Sequence, residues 1–178
     1  MKYCPNCGAP RQPVAQWPHK CHSCKTQHFC SPKPVVALVL RAWEDKLTWG
    51  PSQDKGIVLI KRGIKPHKNT WAFPGGYIDH AEDWRQAAVR EAQEELGVTL
   101  NPHGMVLWGD PVVTPTNYLV LFGGYSGDVI SPAQFHKDPM TQTQGEIQEI
   151  KVTTMTYGTT LGVPSHQTFW KKLRLTPS

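Results

Sequence analysis

Three glutamates stand close together near the middle of this 178-residue chain. Glu91, Glu94 and Glu95 occupy relative positions i, i+3 and i+4, which places them on one face of a helix with about 100° per residue. Carboxylates at this spacing repel one another and weaken an isolated helix. Because hard divalent cations prefer oxygen ligands, the cluster predicts a site for Mg²⁺ or Mn²⁺.

The residues around the glutamates predict where this helix begins and ends. Asp79 and Asp83 are both candidate N-caps, and Glu82 stands three residues after Asp79 as in a capping box. Gly97 follows the last apolar helical position, as a terminating glycine would. Ahead of the helix, residues 73–76 (Phe-Pro-Gly-Gly) let the backbone approach whatever the carboxylates bind.

The spacing of these residues resembles the signature of the Nudix hydrolases. That signature is G, five residues, E, seven residues and then R-E-U-x-E-E-x-G-U, where U is a bulky aliphatic residue. Here Gly76 and Glu82 precede residues 90–98, which read Arg-Glu-Ala-Gln-Glu-Glu-Leu-Gly-Val. Every fixed letter is present, and the one soft departure is the small Ala92.

The resemblance implies a role for each matching residue. The implied Mg²⁺ or Mn²⁺ ligands are Glu91, Glu94, Glu95 and the carbonyl oxygen of Gly76. One of the three glutamates, with Glu91 favoured, doubles as the general base. Glu82 is implied to be an outer ligand or a residue that supports the ligands, and Arg90 to hold the glutamate cluster by ion pairs.

Substrate and further base candidates lie outside the signature. In this family a further base or ligand often lies elsewhere, and Glu146 and Glu149 are candidates here, although a surface charge explains Glu149 more simply. Lys61 and Arg62 could meet phosphate, or simply be solvated. Four aromatic residues at strand positions could stack a base, although packing in the core explains most such residues: Trp71, Trp108, Tyr118 and Phe122.

The reaction implied is hydrolysis of the pyrophosphate in a nucleoside diphosphate linked to another moiety, such as NADH, ADP-ribose or FAD. The products are a nucleoside monophosphate and a phosphorylated moiety. Metal ions neutralise the phosphates and lower the pKa of bound water, and a carboxylate takes the proton. The alternative is a nucleotide-sensing or nucleic-acid-binding module that uses a Nudix fold without turnover. The net charge of +5 suits phosphate ligands and a solvated surface equally.

Four of the five cysteines form two pairs near the N-terminus. Cys4-x2-Cys7 and Cys21-x2-Cys24 are separated by 13 residues, a spacing that predicts a zinc ribbon with a structural zinc. Two disulfides are the competing interpretation, which the lack of a visible secretion signal disfavours. Cys30 is expected to be a buried or half-buried thiol without a role. Three nearby histidines are expected at the surface or beside the cysteines: His19, His22 and His28.

A four-cysteine ribbon placed directly before a Nudix domain resembles the NADH pyrophosphatase branch of the family. Residues 3–8 (Tyr-Cys-Pro-Asn-Cys-Gly) and 34–36 (Pro-Val-Val) match that branch. Shortly after the signature, however, the branch carries a Ser-Gln-Pro-Trp-Pro-Phe-Pro-like segment, whereas residues 101–111 here read NPHGMVLWGDP. The resemblance therefore leaves specificity for NAD(H) open.

The prolines in residues 31–34 (Ser-Pro-Lys-Pro) predict a linker between a ribbon, 1–33, and a catalytic domain, 34–178. Apolar and alternating runs predict strands at 35–40, 56–61, 105–108, 118–122 and 146–155, and a final helix at 163–173. Residues 43–54 and 131–145 read as polar and irregular. This order predicts an α/β fold with a mixed sheet between helices, in agreement with the α/β/α sandwich that the resemblance implies.

No run of about 18 apolar residues occurs, so we expect no transmembrane helix. The N-terminal MKYCPNCGAP has no apolar segment of a secretory signal, and the expected location is the cytoplasm. A homodimer is a possible assembly. The composition does not call for a nucleic-acid partner, and it leaves one open.

Overall fold

The computed structural model describes residues 2–11, 16–43, 55–153 and 159–173. Contacts divide the chain into two compact units, Met1–Pro32 and Lys33–Ser178. We propose that the boundary between the ribbon and the catalytic domain lies at this division. Each unit is described by itself.

The first unit consists of two cysteine turns and a two-stranded ladder. Strands β1 (His19–Lys20) and β2 (Gln27–His28) pair antiparallel, with His19 opposite His28. The amide of Gly8 donates to the carbonyl of Cys4 at 2.9 Å, and the amide of Lys25 donates to the carbonyl of Cys21 at 3.0 Å. The two turns therefore have the same construction.

The part of the second unit that the structure describes contains two four-stranded sheets. In chain order its strands are β3 (Lys33–Val39), β4 (Arg41–Trp43), β5 (Lys55–Arg62), β6 (Trp71–Ala72), β7 (Met105–Leu107), β8 (Val112–Val113), β9 (Tyr118–Tyr125) and β10 (Ile147–Thr153). One sheet has the order β10-β5-β4 with β6 also paired to β5, and all its pairs are antiparallel. The other has the order β3-β9-β7 with β8 also paired to β9, and its β3–β9 pair is parallel.

The described residues of this unit also form three α-helices: α1 (Trp84–Glu91), α2 (Pro139–Gln142) and α3 (Pro164–Leu173). Alternation along β3 sends Val36 and Leu38 into the core formed with α1, and Ala37 and Val39 into the core that contains Trp170 of α3. The predicted α/β/α arrangement with a mixed sheet is thereby confirmed. In the described part of the chain, no helix has the length and apolar character needed to cross a membrane.

The predicted elements differ from the observed ones mainly at their ends. Strand β3 begins at Lys33, so the predicted linker 31–34 extends too far; Pro34 is accommodated near the start of the strand, where proline is tolerated. The short strands β4, β6 and β8 were not predicted, and the stretch 131–145, predicted to be irregular, contains the short helix α2. Cys30 is exposed, so the expectation of a buried or half-buried thiol is wrong. Residues 44–54, most of the predicted irregular stretch at 43–54, lie outside the described residues.

Candidate active site and cysteine cluster

Helix α1 begins at a capping box built on Asp83. The Asp83 carboxylate accepts from the amides of Arg85 at 2.7 Å and Gln86 at 3.3 Å, and Gln86 Oε1 accepts from the Asp83 amide at 2.9 Å. The other candidate cap, Asp79, instead donates its amide to Glu82 Oε2 at 3.0 Å. Of the two predicted N-caps, Asp83 is the one that starts the helix.

After Glu91 the helix widens into a π-helical turn over Ala92–Leu96, which ends at Gly97 with φ +80°. Turns of this kind occur often at functional sites. Glu91 and Glu95 are buried, each 9% exposed, whereas 59% of the Glu94 side chain is exposed. The three glutamates, predicted to share one face, therefore differ in exposure: Glu94 lies at the surface, whereas Glu91 and Glu95 are buried.

The two buried glutamates lie against the turn that precedes α1. This turn runs beside β3, since the amide of Val36 donates to the carbonyl of Gly76 at 2.9 Å. The amide of Gly75 donates to Glu95 Oε2 at 2.6 Å. A Cβ atom added to Gly76 would lie 2.3 Å from Glu91 Oε1. Glycine at position 76 therefore leaves the space that the Glu91 carboxylate fills.

A single guanidinium joins three of the carboxylates. Arg90 Nε and Nη2 donate to the two oxygens of Glu82 at 2.9 and 3.0 Å. Arg90 Nη1 donates to Glu91 Oε1 at 2.8 Å and to Glu94 Oε2 at 3.1 Å, and Nη2 also reaches the carbonyl of Tyr77 at 2.9 Å. The hydrogen bond from Arg90 lowers the pKa of Glu82, so this carboxylate stays ionised as the partner of Arg90.

Burial acts in the opposite direction on the other two glutamates. It raises the pKa of Glu91, despite the hydrogen bond from Arg90, and raises the pKa of Glu95 to about 8, despite the hydrogen bond from Gly75. Without a cation, Glu95 is therefore largely protonated at neutral pH. A divalent ion would favour the ionised form, so these buried oxygen donors fit a hard cation.

The carboxylate oxygens of the three glutamates do not lie close enough together to form a metal site as they stand. Within the described ranges, four cysteines have ligand atoms that all lie within 4.8 Å of one another, and the glutamates form no such group. Arg90 and Gly75 hold the carboxylate oxygens instead. Metal binding would therefore require at least one of the three carboxylates to move.

Of the two glutamates outside the signature, the structure places Glu146 near the cluster. Its charge is among those that raise the pKa of Glu95, while the charge of Arg62 acts to lower it. The carbonyl of Glu146 accepts from the amide of Gly63 at 2.6 Å, directly before β10. Glu149 instead pairs with Lys61 at 3.7 Å and its side chain is 55% exposed, in keeping with a surface charge.

The four cysteines have the spacing of a tetrathiolate metal site. The Sγ atoms of Cys4 and Cys24, and those of Cys7 and Cys21, are 3.8 Å apart. A tetrahedron with Zn–S bonds of about 2.3 Å has S–S edges of about 3.8 Å, whereas a disulfide needs about 2.05 Å. The cysteines of the two pairs form no disulfide, so the structure contains neither of the two bridges considered above. His28 Nε2 lies 3.4 Å from Cys4 Sγ, beside the cluster as expected.

A family model described as the NUDIX domain matches residues 47–166, more than half of the chain. This chain belongs to the Nudix family. Among curated Nudix relatives, the ADP-ribose pyrophosphatase of Methanocaldococcus jannaschii is 44% identical over 46 residues, which are 26% of this chain and 27% of that protein. The NAD-capped RNA hydrolase NudC of Salmonella schwarzengrund is 23% identical over 133 residues, 72% of this chain and 46% of that protein. The chain thus spans less than half the length of these relatives.

Solved Nudix structures share the fold of this chain. A MutT/Nudix protein from Listeria innocua superposes with a TM-score of 0.59 at 21% identity, covering 82% of this chain and 93% of the other. A Nudix hydrolase from Nitrosomonas europaea superposes with a TM-score of 0.56 at 19% identity, covering 100% of this chain and 96% of the other.

The aromatic candidates for base stacking divide into core and partly exposed residues. Phe122 is buried and stacks on Phe169 with ring centroids 3.8 Å apart, so it belongs to the core. Trp71 is half-buried, with Lys151 Nζ 3.9 Å from its ring centroid. Tyr118 is half-buried, and its hydroxyl lies 3.3 Å from that of Tyr77. Trp108, also half-buried, packs against the α3 core.

His166 connects α3 to the turn before α1 and is not among the residues predicted from the sequence. Its Nδ1 accepts from the amide of Phe73 at 3.2 Å, and its ring centroid lies 5.4 Å from that of Phe73 and 6.0 Å from that of Phe122. Burial lowers the pKa of His166 to about 3, so the ring is neutral and Nδ1 remains an acceptor. No motif marks this histidine, because the contact joins residues that are 93 positions apart.

Proposed function

We propose that this Nudix chain hydrolyses the pyrophosphate of a nucleoside diphosphate linked to another moiety, with Mg²⁺ or Mn²⁺. The observation that carries the proposal is the burial of Glu91 and Glu95 against the Gly75-Gly76 turn. A solvated acidic helix would expose its carboxylates and leave their pKa values low. Here burial raises both pKa values, and a bound cation would offset that cost.

Oxygen donors on three parts of the chain would hold the metal. They are the carboxylates of Glu91, Glu94, Glu95 and Glu146 and the carbonyl of Gly76, which already accepts from Val36 and has a second lone pair. When bound, the metal neutralises the phosphates and lowers the pKa of a bound water.

The remaining signature residues, Arg90 and Glu82, would orient these ligands. Arg90 pairs with Glu82 and donates hydrogen bonds to Glu91 and Glu94. These bonds would orient the two carboxylates in the absence of a metal ion. We assign the general base to Glu91, whose burial brings its pKa nearer to neutral pH, where a base is effective.

The cysteine cluster has a separate role. We propose that Cys4, Cys7, Cys21 and Cys24 hold one structural zinc ion, because four sulfur ligands leave no position open for water or substrate. In the first unit only Cys4 and Cys21 are buried among the described residues. A unit with so little buried surface depends on the metal for its stability.

The relatives guide the choice of substrate. One is named an ADP-ribose pyrophosphatase and another an NAD-capped RNA hydrolase, and both names concern a nucleoside diphosphate joined to a further group. The first test is a substrate panel with Mg²⁺ or Mn²⁺ that contains NADH, NAD⁺, ADP-ribose, FAD, sugar nucleotides and nucleoside triphosphates.

We expect one of the diphosphate-linked compounds to yield a nucleoside monophosphate, detected by chromatography. Glu94→Gln, which preserves size and hydrogen bonding but removes the charge, serves as the inactive control. If no compound is cleaved while a nucleotide binds tightly, the chain is a nucleotide-sensing module and the proposal fails.

A further inference from the structure

The positive charge of this protein is concentrated in its first unit. Four of the 19 Lys and Arg residues and none of the 14 Asp and Glu residues lie within residues 1–32, so this short unit carries four of the five net positive charges. A divalent ion on four thiolates has a formal charge of −2, so the loaded unit remains positive. Lys2, Lys20 and Lys25 are all exposed.

The same unit exposes large aromatic side chains. Tyr3 is 59% exposed, Trp17 42% and Phe29 69%. Since Cys4 and Cys21 are the buried residues of its described part, these rings are not used to build a core. These rings are therefore available for contacts at the surface of the unit.

Four side chains form a continuous row that we call the ribbon stripe: Arg11, Trp17, His19 and His28. Arg11 Cζ lies 5.6 Å from the centroid of the Trp17 ring. Trp17 meets His19 edge to face at 4.8 Å, and His19 lies 5.4 Å from His28 across the β1–β2 pair. The stripe therefore joins three planar rings to a planar cation, on a unit whose lysines are exposed.

We propose that the first unit binds single-stranded nucleic acid across the ribbon stripe. Bases of a single strand stack on aromatic rings and guanidinium planes, and its phosphates pair with lysines. A unit without a single carboxylate does not repel a polyanion. The stripe offers stacking surfaces rather than an element shaped for a duplex groove, which favours an unpaired strand. The proposal does not depend on hydrolysis by the glutamates.

Two other occupants would use the same exposed rings. A second copy of the chain would cover the aromatic groups, but the copy has the same excess of positive charge on this unit. An anionic membrane would attract the lysines, but the contact between the Arg11 guanidinium and the Trp17 ring brings together two planar groups of the kinds on which bases stack. Charge and geometry together favour the nucleic-acid strand.

Fluorescence anisotropy with the full, zinc-loaded chain tests the proposal. The probes are a labelled oligouridylate of roughly 12 nucleotides, the matching oligothymidylate and a duplex of the same length. We expect the single strands to bind more tightly than the duplex. Trp17→Ala should raise the Kd about ten-fold, and Trp17→Phe should retain most of the affinity.

Variants that remove positive charge test the proposal independently of Trp17. Combining Lys2→Ser, Lys20→Ser and Lys25→Ser should reduce the slope of log Kd against log salt by about 2, since each phosphate contact on a single strand contributes about 0.7. Lys171→Ser on α3, where the lysine is also exposed, is the matched control and should leave the slope unchanged. Zinc content reports whether each variant is folded. If Trp17→Ala loses zinc, the lysine variant still tests the proposal.

Three results would overturn the proposal. The first is equal oligonucleotide affinity in the wild type, Trp17→Ala and the lysine variant. The second is no oligonucleotide binding together with a dimer that Trp17→Ala dissociates in light scattering, which would make the stripe a contact between copies. The third is binding to phosphatidylserine vesicles without binding to oligonucleotides. Glu94→Gln should bind the strand normally, so loss of hydrolysis and loss of this surface remain distinguishable.

Discussion

Replacing Gly76 with alanine tests whether the turn before α1 fixes the position of the Glu91 carboxylate. Gly76 does not have a positive φ, so alanine introduces no left-handed strain. The new Cβ would lie 2.3 Å from Glu91 Oε1 and 2.7 Å from its Cδ, whereas ordinary contacts begin at about 3.4 Å. The carboxylate must therefore shift by about 1 Å, and it can do so because it ends a flexible side chain.

A displacement of about 1 Å at a catalytic group can reduce a rate about 100-fold. We expect Gly76→Ala to lower kcat/KM by about this factor while the melting temperature changes by less than about 4 °C. The assays are cleavage of the best substrate from the panel and titration of Mn²⁺ followed by electron paramagnetic resonance. Gly123→Ala is the control, because its added Cβ would meet Trp84, Met105 and Val36 at 3.3–3.5 Å. A Gly76→Ala enzyme with wild-type turnover and Mn²⁺ affinity would refute the reasoning.

Four further predictions concern the metals and their supports. Glu95→Gln and Glu94→Gln should each lower turnover about 1,000-fold or more with the fold intact, and Glu95→Gln should weaken Mn²⁺ binding more; near-normal turnover would contradict the site. Because burial raises the pKa of Glu95 to about 8, the Kd for Mn²⁺ should fall about ten-fold from pH 6 to pH 7 and level off above pH 8, with proton release measured by calorimetry in two buffers. A Kd for Mn²⁺ that does not depend on pH would show that Glu95 is already ionised. Because the folded state binds the extra proton, the metal-free fold should also become less stable as the pH rises toward 8. Arg90→Met should destabilise the fold by about 3 kcal/mol in urea unfolding, because it removes the guanidinium that pairs with the buried Glu91 carboxylate and with half-buried Glu82, and an unchanged midpoint would mean that water replaces Arg90. Zinc analysis should find about one ion per chain, lost on combining Cys4→Ser with Cys7→Ser, and a folded zinc-free protein would disprove the ribbon.

Elements with their own apolar pattern could be predicted from the sequence. Strands β3, β5 and β9 follow continuous apolar runs, and α3 follows a helical pattern that ends near its predicted residue. The two-residue strands β6 and β8 have no such pattern. They exist because β5 and β9 offer free edges to pair with, and pairing between distant segments is not visible in local sequence.

The candidate site divides in the same way. The spacing of the glutamates and the pairing of Arg90 with Glu94 were predictable from helix geometry. The contact of His166 with Phe73 was not, because it arises only when α3 packs on the sheet. Glu146 and Glu149 were both candidates, with Glu149 already more simply explained as a surface charge, and the β5–β10 register places Glu149 beside Lys61 at the surface.

The π-helical turn explains why the glutamates occupy two different environments. In a regular helix with about 100° per residue, Glu94 and Glu95 would lie about 60° and 40° on either side of Glu91. At roughly 80° per residue, a value typical of a π turn, Glu95 stays about 40° from Glu91 while Glu94 moves to about 120° away. The exposures agree with the second geometry, since Glu91 and Glu95 are buried and Glu94 is exposed. We infer that Glu91 and Glu95 form the fixed part of the ligand set. Glu94, held outside by Arg90, would complete it only when an ion binds, which is why its loss should weaken Mn²⁺ binding less than the loss of Glu95.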